Sequence, residues 1–446
     1  MGRKRPSQAC FRVGKVSGYL HHGAWWLYDG KPVRRKVAIN RDDAERLAAQ
    51  INGQAAAGTP TLLSFEPISV AELRKQFLEY HELAVKSSMG TVHRYRAATK
   101  HLEDFVDQQS RAPQAHQVRP GRFATYLRKI EFAPNGHKNA TKRKLRDKGV
   151  QFILETCRSM YMFALKNRHL APYTGNPFSE LPLDRLKIED AKPIFVFTAD
   201  FELAFFKSAT DWAFPIHFVL SKTGLRVGEL IHLLIEEVDI EGSWLYVRNK
   251  TELGWRVKTG NERPVPLLPE VVAVLRAVIG GRTSGPVFLR ERLVGRALTL
   301  VGSRRDLERT CHQRQKEAQV DGQSLGRTQL QRIAQSVWWD AGMVRADSVR
   351  KSFVRTTAAI GHPEATCPKS WRHSFATLLQ DANVDPLIRQ QTLGHKPSNG
   401  NGLGMTANYT HTRGETLREQ IEQALRRWPE SLRYALERIK SGGFVR

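Results

Sequence analysis

Two stretches of this 446-residue chain interrupt the hydrophobic periodicity on either side of them: AAAGTPTLLSFEP (55–67) and LPLDRLKIEDAKP (181–193). Gly, Pro and short polar residues punctuate the first, which reads as a linker. The second reads as an exposed tether. Between them they divide the chain into pieces that each need a core of their own. The length agrees, since 446 residues suit two or three domains better than one.

The first piece reads as short strands followed by a helix. SGYLHHGAWWLYDGKPVRRKVAI has strand-like runs, with Asp29-Gly30 as a hairpin turn. In NRDDAERLAAQING, Asn40 is the expected N-cap, Asp42 and Asp43 suit the positive first turn, and Gly53 is the expected stop. A small basic sheet backed by a helix can lay strands in a DNA groove or dock on a protein.

The second piece is helical. Ser69-Val-Ala-Glu72 has the spacing of a capping box, opening a helix through Leu73, Phe77, Tyr80 and Leu83. A second helix carries Tyr95, Leu102, Phe105 and Val106, and a short third carries Phe123, Tyr126 and Leu127. A long fourth is expected from about Lys142 to Leu170, started by KRKLRDK, with Asn176-Pro177 closing the piece. The third piece, from about Val196 to Trp428, opens on a capped helix at Thr198 and Asp200 and mixes helices with a hairpin. Residues 282–366 are Arg-rich and yield no clear pattern.

Charge narrows the function. Lys and Arg number 70 against 44 acids, a formal net charge of +26, which points to a polyanionic partner such as nucleic acid. Binding to such a partner should weaken steeply with salt. Cys10, Cys157, Cys311 and Cys367 form no C-x-x-C pair, so neither a zinc site nor a disulfide framework is expected, and a reducing compartment fits. MGRKRPS is basic but has no apolar run behind it, so no signal peptide is expected, and Pro6 stands where a myristoylation motif requires Ser or Thr. No apolar stretch approaches the roughly 20 residues of a membrane span.

Four separated segments carry residues suited to phosphate chemistry. SKTGLRVGELIHLL (221–234) holds Arg226 just after a Gly, with Glu229 three residues on. WRVKTGNERPVPL (255–267) reads as a hairpin with a TGNE turn, placing Lys258 at the end of its first strand. CPKSWRHSFATLL (367–379) opens a helix with Lys369, Arg372 and His373. QTLGHKPSNGNGLGMTANYTHT (391–412) contains His395 and Tyr409. Taken singly, each has an ordinary reading: a solvated Arg, a solubilising Lys, a structural His, a packing Tyr.

As a set in this order, TGLRVGEL, VKTGNERPVPL, SWRHSFATLL and TLGH…NYTH resemble the signature boxes of the tyrosine recombinase (phage integrase) family. The resemblance covers about 196–415. It implies a mostly α multidomain protein with small β elements: an arm-type DNA-binding sheet-and-helix domain (1–60), an all-α core-binding domain (68–185), an α+β catalytic domain (192–430) and a C-terminal tail (431–446). Carried over, the first arginine is Arg226, the hairpin lysine Lys258, the second arginine Arg372, the His-or-Trp position His395 and the nucleophile Tyr409, with Glu229 bracing Arg226. Lys369 stands where the family usually has His. It can donate to a phosphate oxygen, but it is no neutral base near pH 7 without a strongly lowered pKa. The gap before Tyr409 is lengthened by SNGNGLG (398–404). Tyr434 is the only later tyrosine, in a segment that reads as plain helix.

The implied chemistry is transfer of a DNA phosphoryl group to the tyrosine. Arg226 and Arg372 would neutralise the charge growing on the non-bridging oxygens, and His395 and Lys369 would add donors. Lys258 would protonate the leaving 5′-oxygen. The product is a 3′-phosphotyrosine that a 5′-hydroxyl can reverse. The cycle needs no metal or nucleotide, so no cofactor is expected, and neither a P-loop motif nor H-E-x-x-H occurs.

The implied partners are double-stranded recombination sites, a homotetramer on DNA and, optionally, a DNA-bending accessory protein, in a cytoplasmic, nucleoid-associated location without membrane contact. The amphipathic segment 415–428 either docks on a neighbouring protomer, as in this family, or folds back on its own domain. An element integrase is favoured over a dimer resolvase by the N-terminal unit. A type IB topoisomerase-like enzyme and a non-catalytic architectural protein are the alternatives.

Overall fold

The computed structural model describes residues 10–30, 35–38 (backbone only), 40–110, 112–133, 141–172, 174–190, 194–319, 324–395 and 413–442. Contacts divide the chain into two compact units, Met1–Lys192 and Pro193–Arg446.

The first unit begins with an antiparallel sheet in the order β1 (Phe11–Val13), β2 (Val16–His21), β3 (Ala24–Tyr28), β4 (Arg35–Ala38). Helix α1 (Arg41–Ala56) packs on it, closing a small core of Val16, Leu27, Ala48 and Ile51. Asn40 caps α1 by accepting from the Asp43 N–H at 2.8 Å. Gly53 does not end the helix, which runs one more turn to Ala56 before Gly58 takes a left-handed φ of 68°. Part of the expected linker is structural, since Leu63 is buried in this core.

The helical part follows: α2 (Val70–Glu79) with a π turn at Tyr80–Ala84, α3 (Met89–Asp107), α4 (Pro120–Lys129) and α5 (Asp147–Lys166). Ser69 caps α2 through the Glu72 N–H. Leu73, Phe77, Leu102, Phe123 and Tyr161 form its core, and the Tyr161 hydroxyl donates to the Ala115 carbonyl at 2.9 Å. Two expectations fail here. Tyr80 and Leu83 do not continue the buried face, being 45% and 67% exposed within the π turn, which shifts the helical phase. KRKLRDK does not start α5: Arg143–Lys144 is strand β6, paired antiparallel with β5 (Glu131–Phe132), and α5 begins at Asp147. Leu183 in the expected tether is buried in the same core.

The second unit is an α+β fold. It comprises α6 (Ala199–Ser208), α7 (Ala213–Thr223), α8 (Val227–Ile231), the sheet β7 (Val238–Asp239), β8 (Trp244–Val247) and β9 (Arg263–Pro266), and α9 (Pro269–Ile279). Then come α10 (Arg304–Glu317), α11 (Arg327–Asp340), α12 (Ala346–Ala359), α13 (Lys369–Asp381), α14 (Pro386–Leu393), α15 (Gly414–Leu425) and α16 (Pro429–Lys440). Thr198 caps α6 by accepting from the Phe201 N–H. Every residue of α7 is buried, and rings of Phe205, Phe206, Phe353 and Trp371 pack together in the core.

The hairpin differs from expectation. Its strands are β8 and β9, in register Val247↔Arg263, so residues 255–258 belong to the long connection and Lys258 sits in a turn there. The Arg-rich region holds the pair α10 and α11, with Leu307, Cys311, Val337 and Trp338 around a second small core. Leu417, Ile421 and Leu425 of α15 are buried in their own unit, the folded-back arrangement. The segment drawn as a tail from 431 carries most of α16, whose Leu432 and Ala435 lie in the same core. Lys222 on α7 makes a buried ion pair with Glu202 and donates to Ser431 Oγ on α16 at 2.8 Å.

His217 on α7 is fully buried. Trp371 Nε1 donates to its Nδ1 at 3.2 Å, so the neutral ring carries its proton on Nε2, which faces Ser352 Oγ at 3.0 Å. Burial pushes this imidazole down to about 3. An unfolded histidine takes up its proton near pH 6.5. The native state therefore binds fewer protons across the interval below that, and stability falls as pH drops through it. Urea midpoints followed from pH 7 to pH 4 should decline, and decline less steeply in His217→Gln. An unchanged slope in the variant would refute this assignment.

Candidate active site

The site is assembled where α7 ends. Gly224 terminates that helix with φ 61°, and a Cβ there would lie 2.4 Å from the Phe375 ring, so only glycine lets α13 approach this closely. The approach brings Arg372 to the Gly224 carbonyl, to which its Nη1 donates at 2.7 Å. Its Nη2 donates to the Leu393 carbonyl and faces His395 Nε2 at 3.2 Å. The guanidinium is thus clamped between the end of α7 and the end of α14.

Arg226 precedes α8 in extended backbone. Glu229 reaches back to the Arg226 N–H at 2.9 Å and takes its Nη1 at 2.7 Å. The other side of Glu229 is occupied by Arg263 of β9, with Nη2 at 2.7 Å from Oε2 and Nη1 at 3.2 Å from Oε1. The Glu229 side chain is only 2% exposed. Burial alone would raise its pKa, but the hydrogen bonds and charge of Arg263, then the hydrogen bonds of Arg226, outweigh it and hold the carboxyl below its usual range.

Arg263 was not singled out in the sequence, where it reads as one more basic residue of the hairpin. It also donates Nε to the Thr392 carbonyl at 2.8 Å, joining β9 to α14. Gly394 follows with φ 62°, and a Cβ there would meet Arg263 Nη1 at 2.8 Å. Arg263 therefore positions Arg226 through Glu229 and His395 through the end of α14.

Burial, then the charges of Arg372, Arg226 and Arg263, lower the His395 pKa and favour the neutral ring. Because Nε2 faces an Arg372 N–H, the neutral ring carries its proton on Nδ1. Arg372 is lowered to about 10, by burial first and the Arg226 charge second, and stays protonated at neutral pH.

Lys258 is exposed in its turn. Asn249, also unforeseen, holds that turn by accepting from the Val257 N–H at 2.9 Å and donating to the Gly260 carbonyl at 3.2 Å. Thr259 Oγ1 donates to the Gly394 carbonyl at 3.1 Å, which ties the lysine's turn beside His395. Lys369 is the exposed first residue of α13, one turn before Arg372. Tyr409 and the SNGNGLG insert lie outside the described residues. Tyr434 lies within α16, half-buried, with its hydroxyl 3.3 Å from Arg438 Nη1.

Arg226, Arg372 and His395 are thus brought together, with Lys258 tethered alongside. Two guanidiniums, Arg226 and Arg263, share the Glu229 carboxylate, and Arg372 adds a third positive charge close by, so cations outnumber acids in the cluster.

Residues 207–415 match the family model described as the phage integrase family. The tyrosine recombinase XerA of Pyrococcus furiosus is 26% identical over 206 residues, 46% of this chain and 52% of that protein. The transposase from transposon Tn916 of Enterococcus faecalis is 24% identical over 251 residues, 52% of this chain and 51% of that protein. The chain spans about half the length of the curated relatives it matches. Among solved structures, the Tn1549 transposon integrase in complex with a circular intermediate DNA has a TM-score of 0.49 at 19% identity, covering 80% of this chain and 99% of that one.

Proposed function

We propose a site-specific DNA recombinase of the tyrosine recombinase type, starting from the match of residues 207–415 to the phage integrase family model. The observation that carries the reading is the cluster in which Arg226 and Arg263 share Glu229 while Arg372 stands beside them against His395, three cations to one acid. A phosphodiester under attack gains negative charge on its non-bridging oxygens, and such a cluster is organised to receive it.

In this reading the Tyr409 oxygen attacks phosphorus and the bond to the 5′-oxygen breaks. Lys258 gives the leaving oxygen its proton. With no imidazole at position 369, water takes the proton of the phenol. The Nδ1–H of His395 and the ammonium of Lys369 donate to the phosphate. The 3′-phosphotyrosine keeps the bond energy, and a 5′-hydroxyl from another strand reverses the step.

The substrates are duplex recombination sites of a mobile element, bound by a homotetramer that integrates or excises it, with a bending protein as an optional partner. The sheet and α1 serve as an arm-type module and the α2–α5 region as the core-binding module. The protein works in the cytoplasm on the nucleoid. No helix among the described residues is long and apolar enough to cross a membrane.

A covalent trap tests the reading. Purified protein is incubated with duplexes from its element's ends, nicked so that the short cleaved strand escapes. The expected product is a DNA-linked peptide containing Tyr409, lost in Tyr409→Phe. A peptide linked through Tyr434 would move the nucleophile. Tight binding with no adduct would refute catalysis by this chain alone.

A further inference from the structure

The Arg-rich region has a feature that the cleavage chemistry does not use. Trp339, near the end of α11, is 43% exposed, and three guanidiniums surround its ring: Arg290 at 3.6 Å from the centroid, Arg292 at 5.5 Å and Arg345 at 5.9 Å. Arg355 and Lys351 from α12 line the same depression. Among the described residues, none of Arg290, Arg292, Arg345 or Arg355 forms an ion pair with a carboxylate. Nearby acids pair with other cations, Asp340 with Arg314 at 2.7 Å and Asp347 with Lys351, itself in the lining, at 2.8 Å. Glu291 is the one acid in the lining.

Arg290 donates Nη2 to the Trp339 carbonyl at 2.7 Å, while its buried Nε and Nη1 have no hydrogen-bond partner among the described residues. Its pKa is lowered by burial, then by Arg292 and, against the pull of Asp340, by Arg345. A chain that needed this cluster only for its own fold would pair these charges. Without an ion-pair partner within reach, they leave the ground around the indole positive, the field an external anion would meet.

The place in the fold separates this pocket from the cleavage site. Trp212 and Ala213, at the start of α7, line it, whereas the far end of that helix carries Gly224 and Arg226. Eleven helical residues put about 16 Å between the two ends. The scissile phosphate cannot occupy both.

We propose that the Trp339 pocket is a second phosphate-binding site, which holds the backbone of a nucleic-acid segment away from the phosphate being cut. The ligand is a phosphodiester, gripped by Arg292, Arg345 and Arg355, with Arg290 packed on the indole to keep the pocket positive. The inference rests on the proposed recombinase reading, and it accounts for a basic region that the reaction itself does not require.

The test uses the full chain and a random-sequence 30-bp duplex substituted with 5-iodouracil. Cross-linked peptides are mapped, and affinity is followed against KCl. The pocket variant is Arg292→Ser with Arg345→Ser, both exposed in the native protein. The charge-matched control is Lys207→Ser with Lys440→Ser, exposed at the ends of α6 and α16. The expected result is a cross-link in the peptide carrying Trp339. The pocket variant should lose it, bind about tenfold more weakly and show a salt slope shallower by about two, while the control stays near wild type.

Cross-links confined to other peptides, with both double variants alike, would overturn the inference and leave the recombinase reading standing. Protection of Trp339 by polyglutamate but not by DNA would also overturn it, in favour of an acidic peptide partner. Failure of the wild type to bind any duplex would remove both, and the Tyr409 trap on the same preparation tells that case apart.

Discussion

Arg372→Lys should yield a folded protein that forms the covalent adduct between roughly 100-fold and 1,000-fold more slowly, the usual cost of losing one well-placed donor to a developing oxyanion. Charge is retained by the change, and geometry is lost. The Arg372 guanidinium spans the Gly224 carbonyl, the Leu393 carbonyl and His395 Nε2 at once. A lysine ammonium is a point donor on a flexible stem and cannot bridge the ends of α7 and α14. Binding of the uncut duplex, which depends on many phosphate contacts, should weaken only a few-fold. Single-turnover adduct formation at saturating protein separates the two effects. An adduct rate within a few-fold of wild type would remove Arg372 from the reaction.

The second large effect belongs to Glu229. Glu229→Gln keeps the shape but strips the shared counter-ion from Arg226 and Arg263, both within 2.7 Å of it. Breaking a buried pair in this way costs about 3–5 kcal/mol, because the remaining charges stay desolvated. Urea unfolding at pH 7 should show that loss, and Arg263→Met combined with Glu229→Gln should cost less than the two single changes added. The pH dependence has a definite sign. The carboxyl is held below its unfolded value, so its contribution is complete above the unfolded pKa of about 4.3 and disappears as pH falls through the lower folded value. Additive single and double variants would show that the two arginines do not depend on the carboxylate.

Features with local causes were legible from the amino-acid order. Asn40, Ser69 and Thr198 cap helices through N–H groups three residues ahead, a pattern that no distant contact overrides. Arg226 and Glu229 lie within one turn, so their partnership was readable too. Arg263 was not, because its importance comes from facing Val247 across the sheet and Thr392 from α14, more than a hundred residues on. The segment around Arg143 has a composition suited to helix or strand, and pairing with Glu131–Phe132 decided for strand. In the Arg-rich region, α10 buries only Leu307 and Cys311, too few apolar residues to mark a helical face. The placement of Lys258 depended on Asn249 and Thr259, neither of which carries a sequence signal of its own.

The ion pair between Lys222 and Glu202, capped by Ser431, has a consequence for how the domain breathes. Peeling α16 away would uncover a desolvated ammonium two residues before Gly224, at the root of the segment that carries Arg226. The amide protons of α7 and α16 should therefore exchange with deuterium as one cooperative block, slower than those of the α10–α11 pair, and any partner that loosens the last helix would slacken the first arginine with it.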